Sequence, residues 1–156
     1  MQLRSYKHFP KNYKAKETFF KDSIYEEFLK RVKKINPNWR SLPAMRREIE
    51  DIALDLGFSK HPLDYELGAT SIKGKKRDIG YNIQLGNQAF FLADMVKFQH
   101  LYNNNEINEV IYICLDEYSV SESYSSSVVC FEKSLKFIKV FDEIFKFPIY
   151  FMVIMK

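Results

Sequence analysis

Apolar and polar residues alternate at both ends of the stretch Leu63 to Leu85, LDYELGATSIKGKKRDIGYNIQL, with the period of a β-strand that buries one face. Leu63, Tyr65 and Leu67 point one way and Asp64 and Glu66 the other; further on, Ile79, Tyr81, Ile83 and Leu85 oppose Asp78, Gly80, Asn82 and Gln84. The two arms predict a hairpin whose polar rows share a face. Setting Asp64 opposite Asn82 places Glu66 opposite Gly80 and leaves Gly68 to Asp78 for the turn, and a two-residue slip keeps the same facing. Acid and amide oxygens then converge beside a loop carrying Lys73, Lys75, Lys76 and Arg77. Clustered oxygens suit a hard divalent cation, and neighbouring lysines suit phosphate.

Elsewhere the period is helical. Asp22 can cap a helix running to Ile35, with Ile24, Phe28, Leu29, Val32 and Ile35 on one stripe and Pro37 beyond its end. Ser41 can cap a second, whose Met45, Ile49, Ile52, Ala53 and Leu56 form the buried face before Gly57. After the hairpin, a third helix spans about Ala89 to Tyr102, and the run Glu109 to Leu115 reads as a buried strand. Ser119 to Ser127 is expected to be a loop, Val128 to Phe145 a fourth helix, and Ile149 to Met155 a last strand introduced by Pro148. The order ααββαβαβ predicts an α/β domain with a central mixed sheet flanked by helices.

A chain of 156 residues with 16% aromatics can bury a core as one domain, 1–156, without metal or disulfide staples. Cys114 and Cys130 fall in apolar runs and form no CxxC pair, which suits reduced core residues. No signal-peptide h-region is present, and the apolar run Phe147 to Met155 is too short to span a bilayer, so a soluble cytoplasmic protein with no membrane role is expected. The net charge of +4 is uneven: Met1 to Lys16 holds Arg4, Lys7, Lys11, Lys14 and Lys16 with no acid, a basic N-terminal arm that either is solvated or contacts phosphate. There is no phosphate-cradling GxxxxGK, no GxSxG and no Cys/His dyad.

The run YNIQLGNQAFFLADMVKFQHLYNNNEINEVIYI resembles the core of the BamHI and BglII group of type II restriction endonucleases, where a strand of the form IEVEFGN or IEVQFGN enters a helix of the form DLxKFQ and then a strand. The later FEKSLKFIKVFDEIFKFPIYFMVI resembles the group's closing helix and strand, so the resemblance covers about Pro43 to the C-terminus. It implies the PD-(D/E)XK nuclease fold, a restriction-endonuclease-like core. In that group a first-strand Asp and two residues spaced ExE, ExQ or ExK on the next strand bind Mg²⁺ and activate water for phosphodiester hydrolysis. Carried over by position, the catalytic residues are Asp64, Asn82 and Gln84, with Asp64 and Gln84 as metal ligands. Double-stranded DNA is the implied partner, and cutting both strands needs a homodimer.

The departure is Asn82, which keeps a carbonyl oxygen but supplies no charge and is one methylene shorter than Glu. Mg²⁺ gives up its waters reluctantly and is normally held by one or two carboxylates plus substrate phosphate. Metal binding should therefore be weaker unless Glu66, Asp78, Glu48 or Glu50 restores the charge. Two readings follow: a Mg²⁺-dependent endonuclease impaired at Asn82, or a nuclease-fold DNA-binding or protein-interaction module without cleavage. Plain alternatives stand beside the singled-out residues. Asp64 and Glu66 suit a solvent-facing strand, the lysine cluster suits a solvated hairpin tip, and Asp94 and Lys97 at i, i+3 can simply pair. His61 is a weak candidate for orienting phosphate or water.

Overall fold

The computed structural model describes residues 1–11, 13, 18–63, 70–123 and 127–156, with backbone alone at 121–123. The elements are β1 (Gln2–His8), α1 (Ile24–Lys33), α2 (Leu42–Asp55), β2 (Ser59–Pro62), β3 (Ser71–Lys76), β4 (Ile79–Ile83), α3 (Ala89–Asn103), β5 (Glu109–Leu115), α4 (Glu117–Ser123), α5 (Phe131–Val140) and β6 (Ile149–Met155). One mixed sheet runs β1-β6-β5-β4-β3-β2. Strands β4, β5 and β6 are parallel neighbours, whereas β1 pairs antiparallel with β6 and β3 antiparallel with β4.

The central strands bury both faces, which is why EVIYICL and IYFMVIM read as continuous apolar runs. Ile111, Ile113 and Leu115 pack with α1 and α2 on one side, through Phe28, Val32, Met45 and Ile49. Val110, Tyr112 and Cys114 pack on the other with Phe91, Met95 and Phe98 of α3 and Ile138 of α5. Strand β4 obeys the same alternation. Ile79, Tyr81 and Ile83 join the first layer, while Gly80 lies under α3: a Cβ there would sit 3.0 Å from the Phe98 ring, so the helix approaches this closely only over a glycine.

Local capping follows the sequence. Ser41 accepts from the Ala44 N–H at 3.3 Å to start α2, with Pro43 in its first turn. Gly57 takes φ 89° just past its end. Asp22 acts one residue ahead of the Ser23 N-cap, its Oδ1 accepting the Ile24 N–H at 3.0 Å.

Four expectations need correction. Residues 2–8 of the basic arm are not a free tail but an edge strand, with Gln2 opposite Met155 and His8 opposite Ile149. The segment Ser119–Ser127 begins in helix α4 rather than loop, and the fourth helix is shorter than Val128–Phe145. The hairpin partner of β4 is Ser71–Lys76: Lys75, not Glu66, stands opposite Gly80, and the turn shrinks to Arg77 and Asp78, with Arg77 at φ 53°. The cause is β-pairing through lysines, whose aliphatic stems tolerate a half-covered sheet surface better than a charge count suggests. Finally, the polar row of β4 is not solvent-facing, because α3 covers it; Asn82 is buried. Asp64 and Glu66 lie outside the described residues.

Candidate functional site

A cleft of about 360 Å³ opens where β3 and β4 part. Their ladder runs Lys76↔Ile79, Lys75↔Gly80 and Gly74↔Tyr81. Next to it the β2–β3 register shifts, from Ser59↔Lys75 to His61↔Ile72, so that two β3 residues face the single residue Lys60. An irregularity of this kind bends a strand and re-aims its side chains. Ile72 consequently packs in the α3 layer, while Gly74 faces the other way, where a Cβ would meet Phe58 and Tyr81 of the α2 layer. Lys73, between them, reaches Glu50 of α2 at 3.0 Å.

The floor of the cleft is Asn82 at the end of β4, and its far wall is α3. The stripe that seats α3 on the sheet, Phe91, Met95, Phe98 and Leu101, includes one carboxylate, Asp94, only 4% exposed. Two partners hold it there. The Tyr112 hydroxyl donates to Oδ2 at 3.0 Å and the Lys97 ammonium lies 3.6 Å from Oδ1, with Asn82 beside them in the cleft lining. Burial pushes the Asp94 carboxyl above its ordinary range, and these donors pull against that rise. Tyr112, desolvated and beside the same charge, is raised well above an ordinary phenol.

Cations dominate the rest of the lining. Arg46 of α2, Lys60 of β2, Lys73 of β3 and Lys97 of α3 converge on the cleft from four different elements. Glu50 stands behind this wall, paired with Lys73 at 3.0 Å and Arg46 at 3.6 Å. Of the expected basic cluster, only Lys73 reaches the cleft. Lys76 donates to the Leu56 carbonyl at 2.6 Å, at the end of α2, and Arg77 pairs with Asp22 at 3.1 Å. Lys75 lies beside the turn, half-buried and not among the lining residues. His61 is held by Glu106 at 2.6 Å. Asp78 precedes β4, four residues and roughly 13 Å along the chain from Asn82, bonded to Asn108, and neither it nor Glu48 is among the described residues lining the cleft.

A family model, restriction endonuclease BglII/BglIII, matches residues 12–154. The chain belongs to this family. Among solved structures it matches the crystal structure of restriction endonuclease BglII complexed with a DNA 16-mer, with TM-score 0.80 and 15% identity, covering 100% of this chain and 77% of that one. A search of curated protein sequences found no match. At that identity the structural likeness shows a shared fold, and the six-stranded mixed sheet flanked by helices is that of the BglII enzyme. No helix among the described residues is long and apolar enough to cross a membrane.

BglII-family chemistry implies a divalent cation, and the described donors do not fit one. The Asn82 Oδ1 already accepts the Ile83 N–H at 2.9 Å, and the Gln84 Oε1 accepts the Gly86 N–H at 3.0 Å. The one carboxylate among the described lining residues, Asp94, is already engaged by Tyr112 and Lys97. No group of three potential metal ligands occurs among the described residues. Asn82 and Gln84, which the sequence puts on one face of a strand, both line the cleft; the sequence reading passed over Arg46, Lys60 and Tyr112 and gave Asp94 no part in the site. The available signal was a carboxylate on the apolar stripe of a helix, where an acid persists only when paired.

Proposed function

We propose that this BglII-family chain binds double-stranded DNA through its phosphate backbone and that its hydrolytic activity is weak or lost. The observation that carries the reading is the cleft itself: four cations around Asn82, at the position where the family pattern places a Glu. A cation-lined groove gains affinity by displacing counterions from phosphates, whatever the base sequence. A second reading, Mg²⁺-dependent phosphodiester hydrolysis with Asp64 and Gln84 holding the ion and Asn82 completing the set, is favoured by family membership and by Gln84, an amide that the family pattern admits. Association of two copies is part of the proposal. Exposed Leu92 and Val96 on α3, with Ile144 beside Val96, offer an apolar surface for it.

Gel shifts with a duplex at two ionic strengths test the binding, with affinity expected to fall steeply as salt rises. Incubation of supercoiled plasmid with Mg²⁺ or Mn²⁺ tests the chemistry. Retention of the supercoiled form supports a binding protein, whereas rapid linearisation would move the conclusion to the hydrolytic reading.

A further inference from the structure

Resting on that DNA-binding reading, we propose that the cleft between α2, β3 and α3 takes a backbone phosphate directly, with lysine and arginine in the place where the fold's chemistry would put a divalent ion. The site therefore works without metal. Three observations lead there. The first is the donor set: a Mg²⁺ site needs carboxylate charge, and among the described residues β4 and the residue after it offer only the neutral amide oxygens of Asn82 and Gln84, each already accepting a backbone N–H. The second is charge. Lys60, Lys73, Lys97 and Arg46 face a cleft whose lining, among the described residues, holds one carboxylate, Asp94, and Glu50 pairs with Lys73 and Arg46. Four cations against the two carboxylates they pair with, Asp94 and Glu50, leave the described groups net positive, which disfavours a divalent cation and attracts a phosphodiester.

The third is construction. Lys73 is delivered by a strand irregularity rather than by a regular ladder. Lys97 is steered by Asp94, which is itself fixed by Tyr112. At 27% side-chain exposure, Lys97 keeps part of its surface toward the cleft while its partner, at 5%, is sealed beneath. Asn82 suits this arrangement better than Glu would. Its neutral amide adds no charge beside Asp94, whereas a carboxylate there would face a second buried acid. Asp94 acts as a positioning residue for Lys97, and the phosphate contacts belong to the cations.

The experiment is fluorescence anisotropy with a labelled 14-base-pair duplex, in EDTA and in Mg²⁺, on the full chain and on Lys73→Met, Lys97→Met and Lys97→Arg. Expected are dissociation constants in EDTA and Mg²⁺ within about twofold of one another. Each Met variant should bind about tenfold more weakly, with the salt slope reduced by about one, and Lys97→Arg should bind nearly as well as the original. Lys73 sits on a surface strand at 45% side-chain exposure, so Lys73→Met keeps the test alive if Lys97→Met unfolds, which a thermal melt reveals. Binding that appears only with Mg²⁺ overturns the inference and leaves DNA binding standing. Metal-free binding indifferent to both lysines also overturns it, by placing the contact elsewhere. No binding in either buffer removes the DNA-binding reading itself.

Discussion

The Tyr112 hydroxyl and the Asp94 carboxylate meet at 3.0 Å across the interface between β5 and α3, a buried acid fastened to the centre of the sheet. The bond makes α3 more than an amphipathic lid: it fixes where Lys97, one turn further on, enters the cleft. Tyr112→Phe keeps the ring and removes the donor, leaving a desolvated carboxylate without its hydroxyl partner. A loss of about 1–3 kcal/mol is expected, seen as a lower urea midpoint with an unchanged slope.

Asn82→Glu sets a second carboxylate against Asp94 in a site that is already buried. Like charges at that distance disfavour ionisation of both, and a melting temperature several degrees below the parent is expected at pH 7, with a smaller deficit at pH 4, where the acids take up protons. If the cleft is a phosphate site, the variant still leaves plasmid uncut in Mg²⁺; linear product would show that one charge was all the chemistry lacked.

Glu109 should reveal itself through pH. Its Oε2 accepts the Phe20 N–H at 2.9 Å, holding a residue with φ 56°, and burial raises its carboxyl above the ordinary 4.5. A raised acid favours the folded state most when protonated in both states. Its contribution is therefore greatest below 4.5 and falls as pH climbs toward the folded value. Glu109→Gln keeps an acceptor for Phe20 and cannot ionise. The variant should melt close to the parent at pH 4 and above it at pH 7; the reverse order would mean that the hydrogen bonds outweigh desolvation.

Val96→Asp tests the pairing of two chains. Val96 is 57% exposed and lines a shallow apolar groove with Ile144, so the change costs little fold stability. Sedimentation velocity at micromolar concentration should show a dimer for the parent and a monomer for the variant. A monomeric parent would remove the dimer from the proposal.

The central strands and the first three helices were legible because each carries one dominant period. The stretches Glu109–Leu115 and Ile149–Met155 have the residues of strands buried on both faces, and Ser41 and Gly57 bracket α2 with their own chemistry. Strand β3 was misread because Ser71–Lys76 has no apolar alternation beyond Ile72 and Gly74, so its lysines looked like a turn. Its pairing is decided by neighbours on both sides rather than by its own sequence. Strand β1 was hidden for a similar reason: QLRSYKH is mostly exposed, and only its partner β6 makes it a strand. At the cleft, the alternation of β4 put Asn82 and Gln84 on one face, and the family resemblance singled them out. The gathering of Lys60, Lys73, Lys97 and Arg46 could not be read that way, since it depends on four elements meeting in space.

Strand β1 also governs how the molecule is assembled. Every residue from 2 to 8 finds its partner between 149 and 155, so this ladder closes a loop spanning nearly the whole chain. Contacts of that separation form late, because chain entropy must be lost before any bond is gained. Until they form, β6, an apolar strand, ends the sheet with an open hydrogen-bonding edge. The slowest-forming contact in the fold thus shields its most aggregation-prone edge, and loss of the first eight residues would make a temporary hazard of folding a permanent one.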